Sequence, residues 1–258
     1  MGNFMKPELR IFHDSERLSR HAANLFIEES NKSIRQRNRF LVALNGGSSP
    51  TRLFQLLAAE YREDVEWGKV HVFWGDERCV PPTDEGSNYH QSHEALLSKV
   101  PIPEANIHRV LGELDPPSAA KQYSEVLKSF SEDGFGFPKF DLVYLGMGED
   151  GHTASLFPGS PFDVAEPVLA VTAQYQDRPA NRVTLTQLVF NQARLVVFMA
   201  TGEKKAGVLA EVLSDRYNPA QYPAQRIDPK DGQLIWLVDD AAASQLPRKI
   251  KGLKICEG

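Results

Sequence analysis

Short, unbroken apolar runs alternate with helical patterns along most of this 258-residue chain, and that alternation limits its fold more than any other feature. Phe40–Leu44 is one such run, ending in Asn45-Gly46-Gly47-Ser48-Ser49-Pro50. A helical spacing of Leu53, Phe54, Leu56 and Leu57 follows, with Ser49 suited to its cap and Pro50 to its first position. Val70–Trp74 repeats the pattern. It ends in Gly75-Asp76-Glu77-Arg78 and leads to a helical stretch over 88–98 after a Ser87 cap. Near the start, Asp14 or Ser15 caps a helix whose Leu18, Ala22, Leu25 and Phe26 share a face, and the basic stretch NKSIRQRNR reads as its solvated end. Residues 118–130 form an amphipathic helix with Tyr123, Val126, Leu127 and Phe130 inward. Further strands fit 140–145, 168–172, 182–185, 195–200 and 234–238, with a helix over 203–213 and a long loop over 215–231. Such alternation predicts a mostly parallel sheet with helices on both faces. Sheets of this kind gather ligands at the carboxyl ends of their strands. The turns at 46–49, 76–78, 146–152 and 201–205 all fall there.

Composition narrows the class. The length fits one large domain or two small ones at ~100–200 residues each. No repeat or low-complexity linker divides it, so residues 1–258 read as a single α/β domain. A net charge of −5 argues against a nucleic-acid or membrane-surface partner. Cys79 and Cys256 form no C-x-x-C, which excludes a thiolate zinc knuckle or a redox dithiol and fits reduced thiols in a cytoplasmic protein. The N-terminus lacks the apolar region of a signal peptide, no run of 18 apolar residues occurs, and Lys6 breaks the myristoylation pattern after Gly2.

Residues 146–151 spell G-x-G-x-x-G after a strand-like run. A dinucleotide site needs a helix opening at those glycines to meet the pyrophosphate. Pro158 and Pro161 leave room for about two turns at most, and Asp163 and Glu166 lie too close to serve as the ribose acid. The glycines therefore read as a tight turn presenting Asp150 and His152. A carboxylate beside an imidazole raises its basicity and fixes its orientation, as a general base for water requires. The 45–50 turn offers free N–H groups and a helix dipole to an anion, without the Gly-Lys-Ser/Thr ending of a Walker loop. Lys204 and Lys205 stand in a first helical turn, where cations oppose the dipole. That cost hints at an anionic ligand, with Lys204 itself facing solvent. Arg78 suits bidentate binding of a carboxylate or phosphate, the alternative being a local salt-bridge cluster of 76–78. Cys79 reads as a packing residue. Arg182 opens a strand after Pro179 and reads as an edge cation. His90 and His93 lack H-E-x-x-H and read as surface histidines, and no G-x-S-x-G elbow occurs.

Taken together, "ALNGGSSPTRLF", "VFWGDERCVPPTDEGSNY", "FDLVYLGMGEDGHTASLFPGSP", "NRVTLT" and "TGEKKAGVL" occur in order over nearly the whole chain and resemble the 6-phosphogluconolactonase family. The resemblance implies a three-layer, Rossmann-like α/β fold related to the glucosamine-6-phosphate deaminases. It implies hydrolysis of 6-phospho-D-glucono-1,5-lactone with no organic cofactor and no required metal, by a monomer or weak homodimer acting on a small sugar-phosphate lactone. Carried over by position, the family's catalytic histidine falls on His152 and its acidic partner on Asp150. The Asp-Glu-Arg stretch falls on Asp76, Glu77 and Arg78, and the phosphate loop on Gly46, Gly47 and Ser48. Arg182 and Lys205 take the places of the family's phosphate-gripping cations. Asn45 and Ser49 depart from the commoner Ser and Thr of that loop. The deaminases continue after Asp-Gly-His with Ile-Ala-Phe-Asn-Glu-Pro, whereas this chain continues Thr153-Ala154-Ser155-Leu156-Phe157-Pro158.

Overall fold

The computed structural model describes residues 6–132 and 134–257, the side chains of Ser48 and Glu257 lying outside that description. In chain order the strands are β1 (Glu8–Phe12), β2 (Phe40–Leu44), β3 (Val70–Trp74), β4 (Asp76–Arg78), β5 (Leu142–Gly146), β6 (Val168–Thr172), β7 (Asn181–Leu185), β8 (Leu195–Ala200), β9 (Gln233–Asp239) and β10 (Lys254–Glu257). The helices are α1 (Ser15–Arg37), α2 (Ser48–Ala59), α3 (Asn88–Ala95), α4 (Pro116–Lys128), α5 (Gln187–Phe190), α6 (Ala206–Val212) and α7 (Asp240–Ala243). Seven strands form one sheet in the order β10-β1-β9-β8-β5-β2-β3, every pair parallel. The chain winds outward from β2 to β3 and then restarts at β5 on the other side. The crevice of such a sheet lies where the winding reverses, at the carboxyl ends of β2 and β5.

The unbroken apolar runs have a direct cause. In β2, Phe40, Val42 and Leu44 pack with Leu18 and Phe26 of α1 and Leu53 and Leu57 of α2. Leu41 and Ala43 point the other way, into a layer holding Tyr123 and Leu127 of α4 and Leu209 of α6. With both faces covered, no position in the strand can be polar. Each fully buried Leu or Phe contributes roughly 1.5–3 kcal/mol. Helix α1 begins where the Asp14 carboxylate accepts from Arg17 N at 2.8 Å. It ends at Asn38, which turns left-handed (φ 57°) and donates its N–H to Ile34 O at 2.8 Å. Among the described residues no helix is long and apolar enough to cross a membrane.

Several expectations are corrected. The strands at 168–172 and 182–185 do not join the parallel sheet. β4, β7 and β6 form a separate antiparallel sheet in the order β4-β7-β6. Its origin is Gly75, whose N–H donates to Leu44 O while its carbonyl accepts from Leu185 N, so the chain leaves β3 and crosses to β7. The alternating exposure of β6 fits an edge strand with one face in solvent. β1 and β10 escaped sequence reading because charged residues interrupt them, yet β1 lies inside the sheet between β9 and β10. Helix α2 opens at Ser48 after Gly47, not after Ser49. Gly47 takes φ 94° and ψ −176°, a backbone open mainly to glycine, and the helix starts as soon as that turn is made. The 88–98 helix stops at Ala95 and tightens to a 3-10 turn over Leu97–Lys99, and the 203–213 helix begins with a 3-10 turn over Glu203–Lys205.

Candidate active site

No helix follows G-x-G-x-x-G. Residues 147–161 run as turns and a single bridge between Thr153 and Leu156. Gly148 N donates to His152 O at 2.9 Å and Gly151 N to Gly148 O at 3.1 Å, curling the chain so that His152 lies back over Gly148. A Cβ on Gly148 would stand 2.1 Å from His152 Nδ1, which explains the glycine without any cofactor. Thr153 Oγ1 donates to Gly146 O at 2.9 Å and Ser155 Oγ to Asp76 Oδ2 at 2.7 Å, fastening the turn to β5 and to the small sheet.

The imidazole is held on three sides. Its Nδ1 lies 2.6 Å from Asp150 Oδ1, which also accepts His152 N at 3.1 Å. Phe157 lies tilted against the ring and Tyr175 stands edge-on to it, each with its centroid 4.5 Å away. Burial works to raise the Asp150 carboxyl, but the His152 hydrogen bond and charge outweigh it and hold the group below its ordinary value. A neutral imidazole donating Nδ1–H to Asp150 keeps Nε2 as its acceptor.

Around His152 the cleft is lined by Asn45, Gly46 and Gly47 from the turn after β2 and Ser49 from the start of α2, by Asp76, Arg78 and Asn88, by Gly146–Glu149 and Ala154, by Tyr175, Gln176, Arg178 and Arg182, and by Lys205. Four cations, Arg78, Arg178, Arg182 and Lys205, face two carboxylates, Asp76 and Glu149. Arg182 is 2% exposed, yet its Nε and Nη2 have no hydrogen-bond partner among the described residues, and the same holds for Nε of Arg78. Burial pushes Arg182 and Lys205 below their ordinary values, opposed by Asp76 at the first and by Glu149 and Asp239 at the second. Buried guanidinium edges without partners are costly, and an anion in the cleft would satisfy them.

Seven of the sequence-predicted residues, Gly46, Gly47, Asp76, Arg78, His152, Arg182 and Lys205, line this one cleft. Asp150 is bonded to His152 Nδ1 without lining the cleft itself, and Ser48 opens α2 with its side chain outside the described residues. Two readings change. Arg182 is no edge cation: it sits in β7, the middle strand of the small sheet, with its guanidinium 5.3 Å from the centre of the Phe157 ring. Nor is 76–78 a salt-bridge cluster. Asp76 is held by Ser155 and Asn88, while Arg78 Nη1 donates to Gly86 O at 2.6 Å. Glu77 turns away and accepts from the backbone N–H groups of Arg78, Asn88 and Tyr89, each at 2.7 Å, pinning the start of α3. Cys79 packs beside the core, and burial pushes its thiol up to about 11. Lys204 is exposed, as expected. Sequence reading missed Asn88, Tyr175, Gln176 and Arg178. Asn88 lay hidden in a helix start, and the other three in a polar loop with no motif.

Together the switch-point crevice, oriented imidazole and excess cations place the chain among α/β proteins built to handle a small anionic molecule. Comparison with known proteins narrows the class. A family model described as "Glucosamine-6-phosphate isomerases/6-phosphogluconolactonase" matches residues 13–236. A 6-phosphogluconolactonase from Synechocystis is 38% identical over 94% of this chain and 99% of its own length. Among solved structures, a devB protein aligns with a TM-score of 0.85 at 33% identity, covering 93% of this chain and 99% of that one. The 6-phosphogluconolactonase of Trypanosoma brucei aligns at 0.82 and 29% identity, covering 94% of this chain and 99% of that one. The chain belongs to the glucosamine-6-phosphate isomerase/6-phosphogluconolactonase family.

Proposed function

We propose that this chain is a 6-phosphogluconolactonase, hydrolysing 6-phospho-D-glucono-1,5-lactone to 6-phospho-D-gluconate, the second step of the oxidative pentose phosphate pathway. The observation that carries the reading is the Asp150–His152 pair, bonded at 2.6 Å beside a cleft where four cations converge. Relatives of 38% identity bearing the lactonase name support it.

The chemistry follows from the groups present. His152 Nε2 takes a proton from water as the water oxygen bonds to C1 of the lactone, a contribution of roughly 10²–10⁴ in rate. Asp150 keeps the ring in the useful tautomer and stabilises its cation. Negative charge gathers on the former carbonyl oxygen, where Arg78 or a backbone N–H serves as donor. As the carbonyl re-forms, the bond from C1 to the ring oxygen breaks and the imidazolium returns its proton to that oxygen. Lys205, Arg182 and the Gly46–Gly47 turn at the start of α2 hold the remote phosphate and fix the ring for attack. The test is lactone hydrolysis coupled to 6-phosphogluconate dehydrogenase, corrected for spontaneous opening. His152→Ala is expected to lose most turnover while still binding 6-phosphogluconate. Unchanged turnover would remove His152 as the base.

A further inference from the structure

The loop over residues 173–180 joins β6 to β7 and reaches from the small sheet into the cleft. Ala173 N donates to Ala180 O at 2.9 Å and closes its base. Its near side rests on the catalytic turn: the Tyr175 ring stands edge-on to His152, and the Tyr175 hydroxyl accepts from Glu149 N at 3.4 Å. Gln176 then takes a left-handed φ of 51°, uncommon for a residue other than glycine. That turn delivers Arg178 to the mouth of the cleft.

Arg178 differs from the other cations there. Arg78 is tied to Gly86 O, Arg182 is fixed in a strand, and burial depresses the Lys205 ammonium. Arg178 is exposed and makes no side-chain hydrogen bond or ion pair among the described residues. It nevertheless lines the same cleft as Lys205 and Arg182, and after burial and the nearby carboxylates its charge adds a smaller downward push on each. Asp76, Glu149 and Asp239 offset part of that charge, but four cations line the cleft against the two carboxylates Asp76 and Glu149, an excess that an anionic ligand would balance. The surrounding turns also supply Gly46 and Gly47 to the same cleft.

Resting on the lactonase reading, we propose that Arg178 is a further substrate-binding residue, contacting the substrate phosphate from the solvent side opposite Lys205 and Arg182. Arg178 thereby sets the preference for phosphorylated over unphosphorylated lactones. A guanidinium suits the role because it binds a phosphate through two parallel N–H bonds, which an ammonium cannot do.

The experiment compares the wild type with Arg178→Ala and Arg178→Lys. It measures KM and kcat on the phosphorylated and the unphosphorylated 1,5-lactone, and the affinities of 6-phosphogluconate and inorganic phosphate by calorimetry. For Arg178→Ala, KM on the phosphorylated lactone and Kd for 6-phosphogluconate are each expected to rise roughly ten- to a hundredfold, the usual range for a lost charge-assisted contact. Arg178→Lys recovers part of the loss, and KM on the unphosphorylated lactone shifts less than twofold. The proposal is overturned if KM and both affinities stay within twofold of wild type, or if the two lactones suffer equally, as a collapsed loop would cause. Should the wild type fail to open the lactone, the lactonase reading falls by itself. The phosphate affinities of wild type and variant then still support or overturn the role of Arg178.

Discussion

Gly148→Ala tests how tightly the Asp150–His152 geometry is built. The backbone at Gly148 lies outside the left-handed region, so alanine meets no conformational penalty there. What it meets is the imidazole. The new Cβ would lie 2.1 Å from His152 Nδ1, 2.2 Å from Cε1 and 2.7 Å from Asp150 Oδ1. Carbon needs about 3.5 Å to such atoms, so the ring must move by more than about 1 Å or give up its bond to Asp150. Displacements of about 1 Å at a reacting group can cost about a hundredfold in rate, or roughly 2.7 kcal/mol of barrier. The residues proposed to hold the phosphate are untouched, so KM on the phosphorylated lactone should hold within a factor of about two. The coupled dehydrogenase assay measures both constants. A proton spectrum should at the same time lose the strongly downfield Nδ1–H signal expected of a 2.6 Å imidazole–carboxylate bond. A variant with kcat within threefold of wild type and that signal intact would refute the packing argument.

Three further outcomes follow from the same geometry. Asp150→Asn keeps the shape of the carboxylate but not its charge and should lower kcat by about 10²-fold with little change in KM, measured in the same assay. Lys205→Ala should chiefly raise KM, roughly tenfold for a lost ionic contact, and an unaltered KM would count against its phosphate role. Burial pushes Glu77 up from 4.5 to about 7 against three backbone N–H groups that lower it. Its folded-state value thus exceeds its unfolded one, and the folded chain keeps a proton that the unfolded chain has released. Stability should therefore fall through this group as pH rises from about 4.5 to 7. Urea titrations across that window should show a flatter profile for Glu77→Gln, and coincident slopes would overturn the assignment.

The legible parts of the sequence were those where one physical demand acts alone. Strands β2, β5 and β8 are covered on both faces and so had to be apolar throughout, which made them readable. His152 and Asp150 announced themselves because they follow such a run directly. Where two demands compete, reading failed. Strand β1 carries Glu8 and Arg10, which pair with each other at 2.7 Å, so its sequence looks like surface although its neighbours lie on both sides. Arg182 looks like an exposed cation by residue type but is buried through its place in β7, a fact of tertiary pairing. Arg178 and Tyr175 depend on where a loop folds back, which no local spacing encodes.

Strand β1 has a consequence for the chain's synthesis. Its partners, β9 and β10, begin at Gln233 and Lys254, more than two hundred residues downstream. At translation rates of about 5–20 residues per second, Glu8–Phe12 waits roughly 10–45 s with neither partner in existence. For that time Leu9 and Phe12, both destined for the core, have no sheet to join. Chaperone contact with the nascent β1 segment should persist until β9 emerges and end abruptly after it. A ribosome-stalled chain ending near residue 230 would hold the turns of the cleft while lacking the strands that anchor its first segment.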